Sequence, residues 1–436
     1  MEMRQFSTTS DLSRIGREMI ELARDLYPIC RSITGEGVRS SLQILQQAVP
    51  LELHEVSTGT RVFDWTVPRE WNIRDAYVKN QHGERVIDFR RHNLHVVNYS
   101  VPFHGHLTLD ELKSHLHTLP EQPDWIPYRT SYYRETWGFC ISHNQFLSLE
   151  KGEYEVCVDT SLEAGALTYG ELYLAGQSTD EVLISCHCCH PSLANDNLSG
   201  MVVSAFLARE LQTRPRRYSY RFLFIPGTIG SITWLATNEQ RTKNIRHGLV
   251  IACVGDAGCM HYKKSRRDDA EIDKAVIHVL RHSGQEFRVL DFSPYGYDER
   301  QYCSPGFNLP VGSLTRTPHG RYPEYHTSAD NLDFVRPEYL ADSFDRYLAV
   351  VDLLEHNKKY LNTQPKCEPQ LGKRGLYGTF GGRKDADQHE LAMLWVLNLS
   401  DGNHTLLEIA DRSNLSFGLI EEVAETLVTH GLLEEA

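Results

Sequence analysis

The chain has 436 residues, enough for about three domains with an ample core. Its 45 Lys and Arg against 58 Asp and Glu give a net charge of −13, which argues against nonspecific binding of nucleic acid or an anionic membrane. No apolar run approaches the ~20 residues of a membrane-spanning helix, and Met1–Arg14 lacks the basic-then-apolar layout of a secretion leader. The ten cysteines are scattered, several of them (Cys140, Cys157, Cys186, Cys253) inside apolar strand-like runs. That pattern reads as reduced, buried thiols in a cytoplasmic protein.

Residues Ser10–Ala48 read as two helices. Ser10 or Asp11 can cap the first, whose apolar positions Ile15, Met19, Leu22 and Leu26 recur at helical spacing. The stretch Ile33–Gly37 (ITGEG) breaks the pattern, and Arg39–Ala48 resumes it. Between Leu51 and Gly138 the character changes to short alternating runs, prolines and turns such as NQHGE, with one short helix over Leu109–Leu116. This predicts an inserted β-rich domain over residues 62–133, rich in aromatic residues that include Phe63, Trp65, Trp71, Tyr128 and Tyr133. Glu153–Asp159 and Ala166–Leu174 return to strand alternation and, with Val182–Cys186, are expected to rebuild the sheet of the main domain, residues 1–61 and 134–370.

Arg221–Ile225 and Leu249–Val254 are further central strands. Helices expected over Met201–Leu211, Ser231–Asn238 and Ile272–Ser283 give the β-α-β-α rhythm of a mostly parallel, helix-flanked α/β sheet. From Ala386 the chain reads as helix, turn, helix, turn, helix, a small winged-helix-like domain over residues 386–436. Acids run through it and Arg412 is its only Lys or Arg, so it reads as a packing or dimerising module rather than a DNA binder.

The richest stretch is Glu181–Gly200, EVLISCHCCHPSLANDNLSG. A buried strand (Val182–Ile184) spills His187, His190 and Asp196 into a loop at its C-terminal end, where open α/β sheets place their sites. Imidazole plus carboxylate is a ligand set that suits zinc. Two later strands end in the same way: Leu249–Asp256 (LVIACVGD) delivers Asp256, and a polar loop after Leu309–Leu314 (YPEYHTSAD) delivers His326. Cys186 and Cys188 alternate with His187 along the strand, so they face away from it and read as core thiols.

The blocks HCCHPSLANDNLSG, CVGD and EYHTSAD resemble, in order, the zinc-binding blocks of the co-catalytic zinc aminopeptidases. STGTRVFDW, EWNIRDAY, LHTLPEQPDWIPYRTSYY, WGFC, TIGSI and the winged-helix tail resemble a bacterial aminopeptidase-like family of unassigned function, over nearly the whole chain. The resemblance implies a zinc-exopeptidase-like fold, with His187, Asp196, Asp256 and His326 as metal ligands and Asp196 as a bridging or anchoring carboxylate. It implies Tyr325 as an oxyanion donor, Asp298 and Glu299 in the acid positions of a segment before a strand, and part of the insert as a wall over the metal. Through it alone, Arg31 and Arg39 become candidates for a substrate carboxylate.

Two positions depart from the family pattern. Adjacent glutamates, a base and a ligand, are replaced by Gly227 and Thr228, and the aspartate that orients the first His is replaced by Cys189. One zinc rather than two is therefore expected, with Glu324 as the replacement base and His190 as the other candidate. If the chain is extended there, Glu324 and His326, two apart, project to one side. The expected activity is zinc-dependent hydrolysis of an amide next to a free amine, in a short peptide or an aminoacylated small molecule, with no nucleic acid or membrane partner and self-association left open. The alternative is a metal-binding pseudoenzyme acting as a binding or scaffold protein.

Overall fold

The computed structural model describes residues 9–376 and 386–436. The leader expectation for Met1–Arg14 falls largely on residues outside that range. Helical structure already runs from Thr9 to Leu26, so Ser10 and Asp11 lie inside the helix rather than cap it. The chain divides into two compact units, residues 1–268 with 286–345 and residues 269–285 with 346–436.

The first unit is built on an eight-stranded mixed sheet. Its strands are β1 (Glu52–Ser57), β2 (Ala166–Leu174), β3 (Glu181–His187), β4 (Ser219–Ile225), β5 (Ile245–Ile251), β6 (Met260–Lys263), β7 (Phe287–Leu290) and β8 (Val311–Thr315). Their spatial order is β1-β2-β4-β3-β5-β8-β6-β7. The centre, β4-β3-β5-β8, is parallel, while β1, β2 and β6 join it antiparallel to their inner neighbours. Every residue of β3 and β4 is buried, as expected of strands covered on both faces. Helix Gly200–Gln212 packs on β3, β4 and β5, and helix Glu36–Ala48 on β2. The C-terminal ends of β3, β4, β5 and β8 therefore open onto one edge of the sheet.

Strand Glu153–Glu163, expected in the main sheet, belongs elsewhere. It pairs with Glu70–Lys79 on one side and Phe103–Thr108 on the other, and Arg85–Asp88 completes a separate four-stranded antiparallel sheet. The reason is its period. Tyr154, Val156, Val158 and Thr160 are buried and the residues between them are not, the signature of a strand covered on one face. That face packs with Ala76, Val78, Ile87 and Phe139 into a core of its own.

Helix Glu271–Arg281, read from sequence as part of the main α/β alternation, groups instead with the C-terminal unit. His278 holds it there: Nδ1 lies 2.8 Å from Asp411 Oδ1, and Nε2 accepts from the backbone N–H of Phe417 at 3.0 Å. The unit also contains helices Ala386–Leu399, Leu406–Ser413 and Phe417–Thr429, and a three-stranded sheet of Asp401–Thr405, Lys359–Asn362 and Leu433–Glu435. Thr405 starts the second of these helices with a reciprocal capping box to Glu408. Among the described residues no helix is long and apolar enough to cross a membrane.

One pH effect follows in this unit. Burial, with the Glu425 carboxylate adding to it, pushes Glu421 up to about 7 from 4.5. A carboxyl raised in the folded state favours folding below its unfolded pKa, and that contribution is lost as pH rises through the folded value. Glu421→Gln is therefore expected to melt above the wild type at pH values past about 7 and close to it below about 4.5. Thermal melts across this window check the sign.

Candidate metal centre

The site is assembled where β3, β4, β5 and the loop after β8 end together. His187 closes β3, fully buried, and Asp196 lies in the following loop, equally buried. His187 Nε2 is 2.8 Å from Asp196 Oδ1, and His326 Nε2 is 3.0 Å from Asp196 Oδ2. Both oxygens of one carboxylate thus meet imidazole nitrogens, one from the end of β3 and one from a separate loop. The third histidine, His190, joins them: ligand atoms of His187, His190 and Asp196 all lie within 4.8 Å of one another. Its ring is 4.9 Å from that of His187 and 5.2 Å from that of His326, centroid to centroid.

The run Asn195-Asp196-Asn197 gives each side chain a different task. Asn195 donates to Asp256 Oδ2 at 3.0 Å and accepts from the Gly255 N–H at 2.8 Å. Asn197 donates to the carbonyls of His187 and Ile251 and accepts from the N–H groups of Gly200 and Cys253. Between them Asp196 is turned into the cluster. Asp330 fixes the loop from the far side, accepting from the N–H of Asn195 at 2.6 Å and of Asp196 at 3.0 Å. Burial pushes the Asp330 carboxyl up to about 8, against the pull of those donors. Gly200 must be glycine here, because a Cβ would lie 2.5 Å from the Ile251 carbonyl oxygen and also strike the Asn197 amide. Gly200→Ala is expected to cost about 3 kcal/mol by overpacking, read as a lowered denaturation midpoint.

The loop carrying His326 is a turn. Tyr325 N–H donates to the Tyr322 carbonyl, Thr327 N–H to the Glu324 carbonyl, and His326 has φ +56°. The insert clamps it: His326 O accepts from the Tyr128 N–H at 2.7 Å, and Ser328 N–H donates to Ile126 O at 2.8 Å. Tyr128 sets its ring 5.0 Å from His326 and 5.2 Å from His190, edge to face. The premise that Glu324 points with His326 along an extended chain therefore does not hold. No hydrogen bond or ion pair joins the half-buried Glu324 to the cluster among the described residues. Tyr325 stacks its ring on His326, 3.9 Å between centroids at 12°, and burial pushes its hydroxyl far up, so it stays a donor.

Asp256 is held by donors of its own. Oδ1 accepts from the Gly258 N–H at 2.7 Å and Thr317 Oγ1 at 2.6 Å; Oδ2 accepts from Asn195 Nδ2 and the Thr317 N–H. With four donors on it, this carboxylate holds the Asn195 loop. The two arginines are likewise committed elsewhere. Arg31 is fully buried and donates through Nε to His190 O at 3.0 Å, while Arg39 pairs with Glu70. Asp298 accepts from Ser231 Oγ at 2.8 Å, and Glu299 pairs with Lys263 at 2.8 Å.

The electrostatics favour a cation. Burial works against the charge of Asp196, yet His190, His187 and His326 around it hold its carboxyl well below the usual range. Burial keeps His190 neutral, well below the ordinary imidazole value. The thiols of Cys186 and Cys189 are pushed by burial up to about 12 and are not thiolate ligands. Imidazoles around one buried carboxylate fit zinc. Sequence reasoning missed Asp330 and Tyr297, although the first lies inside the EYHTSAD block and the second beside Asp298.

Residues 20–357 match the family described as a domain of unknown function, DUF4910. The chain belongs to this family. Residues 358–435 match a winged helix-turn-helix family. A Clostridium acetobutylicum protein, named provisionally as a polysaccharide biosynthesis protein with an aminopeptidase-like domain, is 55% identical over 422 residues, 97% of each chain. A crystal structure from the same organism, of a protein named provisionally as a peptidase, superposes with a TM-score of 0.94 at 53% identity over 98% of each chain. The zinc aminopeptidase of Bacillus subtilis superposes with a TM-score of 0.56 at 13% identity, over 78% of this chain and 94% of that one. A Shewanella amazonensis peptidase M28 precursor gives 0.53 at 12%, with the same coverage. At such identities the likeness is one of fold, and the fold is that of zinc aminopeptidases with a winged-helix domain added.

Proposed function

We propose that this DUF4910 protein is a zinc-dependent hydrolase of the aminopeptidase type, cleaving an amide next to a free amine. The observation that carries the reading is the buried Asp196 carboxylate with each oxygen on the Nε2 of a different histidine. His187, Asp196 and His326 would hold one zinc, with His190 beside them. One ion rather than two follows from Gly227 and Thr228, which bring no carboxylate, and from the four donors already on Asp256. A bound zinc supplies Lewis-acid polarisation of a carbonyl and activation of water. Around it, Tyr325 keeps its proton and can donate to a developing oxyanion. His190, neutral and buried, can accept a proton on the ring. Glu324, the replacement base read from sequence, has no hydrogen bond or ion pair to the cluster among the described residues.

The substrate would be a short peptide or an aminoacylated small molecule. The Clostridium relative's name, polysaccharide biosynthesis, favours an aminoacylated sugar intermediate as the second of these. A second reading, a metal-binding pseudoenzyme, is favoured by the bare backbone at Gly227. Screening amino-acid anilides, dipeptides and aminoacylated amino sugars with added zinc or cobalt separates the two. Metal-dependent turnover lost in His187→Ala supports the hydrolase; zinc uptake without turnover on any of them supports the binding protein.

A further inference from the structure

Tyr297 is wedged among the histidines of the cluster. Its ring lies on that of His187, 3.8 Å between centroids at 25°, and its hydroxyl lies at the edge of the His190 ring between the two nitrogens, 3.0 Å from Nε2 and 3.3 Å from Nδ1. Under the ring is Gly227, two residues past the end of β4. A Cβ at Gly227 would lie 2.6 Å from Tyr297 Cε1 and 3.1 Å from His187 Cβ. Any side chain at 227 would enter the space the phenol already fills. The segment around Tyr297 is firmly tied. The Tyr297 N–H donates to Glu299 Oε2 at 3.0 Å, Glu299 pairs with Lys263, and the neighbouring Asp298 accepts from Ser231. These bonds of the two acids anchor the segment that carries the tyrosine.

We propose that Tyr297 is a positioning residue of the site: its ring takes the space of a side chain at 227, and its hydroxyl sets the orientation of His190. Only the kinetic part of this claim rests on the hydrolase reading. The missing carboxyl group at 227 then has a structural counterpart, an uncharged phenol delivered from a different loop. The two roles separate by substitution, because Tyr297→Phe keeps the ring and removes the hydroxyl, whereas Gly227→Ala contests the ring's space.

The test uses the full chain and three readouts: thermal melting, zinc stoichiometry, and the nitrogen NMR signals of the His190 ring. Tyr297→Phe is expected to melt and bind zinc like the wild type, while the His190 ring signals move. In any substrate found, its kcat falls by about 10- to 100-fold with little change in KM. Gly227→Ala is expected to lower the melting temperature in the wild-type background but not in Tyr297→Ala, where the space is free. Unmoved His190 signals in Tyr297→Phe would overturn the orienting role. An equal cost of Gly227→Ala in both backgrounds would overturn the steric one. A wild type without turnover leaves the melting and NMR outcomes decisive and counts against the hydrolase reading alone.

Discussion

Asp196→Asn is expected to abolish zinc retention and to lower any metal-dependent turnover by about 10³-fold or more, several kcal/mol of transition-state stabilisation. Among the described residues the carboxylate is the one acid grouped with His187 and His190, and each of its oxygens accepts from a histidine Nε2. An amide of the same shape offers one oxygen and one NH2 group, so one histidine loses its acceptor and the site loses its charge. The backbone N–H of residue 196 still donates to Asp330, so the loop keeps its anchor. The variant should therefore fold, with circular dichroism and melting near those of metal-free wild type. Metal analysis after dialysis reads the loss directly; an Asn variant that keeps zinc at wild-type stoichiometry would remove Asp196 from the centre.

Asp330→Ala has the second large effect. Its carboxyl oxygens accept from two buried N–H groups, those of Asn195 and Asp196, and alanine leaves both without an acceptor. Each buried, unsatisfied N–H costs about 1–3 kcal/mol, so a loss of roughly 2–5 kcal/mol is expected. The loop that carries Asp196 would also relax, and metal affinity should fall by about 10- to 100-fold, as for other residues that orient ligands. Chemical denaturation and competitive zinc titration measure the two separately. A variant that melts and binds zinc like the wild type would show that Asp330 does not hold the loop.

The parts of this site legible in the sequence were those set by one short stretch. β3 reads as a buried strand because its apolar run is unbroken, and His187 and Asp196 lie in that same stretch, which the fold brings against His326 from a later loop. What sequence could not give was convergence between distant loops. Asp256 sits at a strand end like a ligand, but Thr317, sixty-one residues later, and Asn195 occupy its oxygens. Glu324 was placed by an extended-chain argument, and the Tyr322–Thr327 turn, clamped by the insert at Tyr128, removes the premise. Strand Glu153–Glu163 is a different case. Its one-sided burial marks a single covered face, and the alternation of EYEVCVD carried that signal in the sequence. Tyr297 left no local trace, since only the fold brings its ring over Gly227.

The most direct measurement is an anomalous difference map at the zinc absorption edge, from crystals of the full chain soaked in zinc. One dominant peak is expected, in contact with His187 Nε2, His326 Nε2 and the carboxylate of Asp196. A peak on Asp256, two equal peaks, or no peak at the Asp196 carboxylate would contradict it.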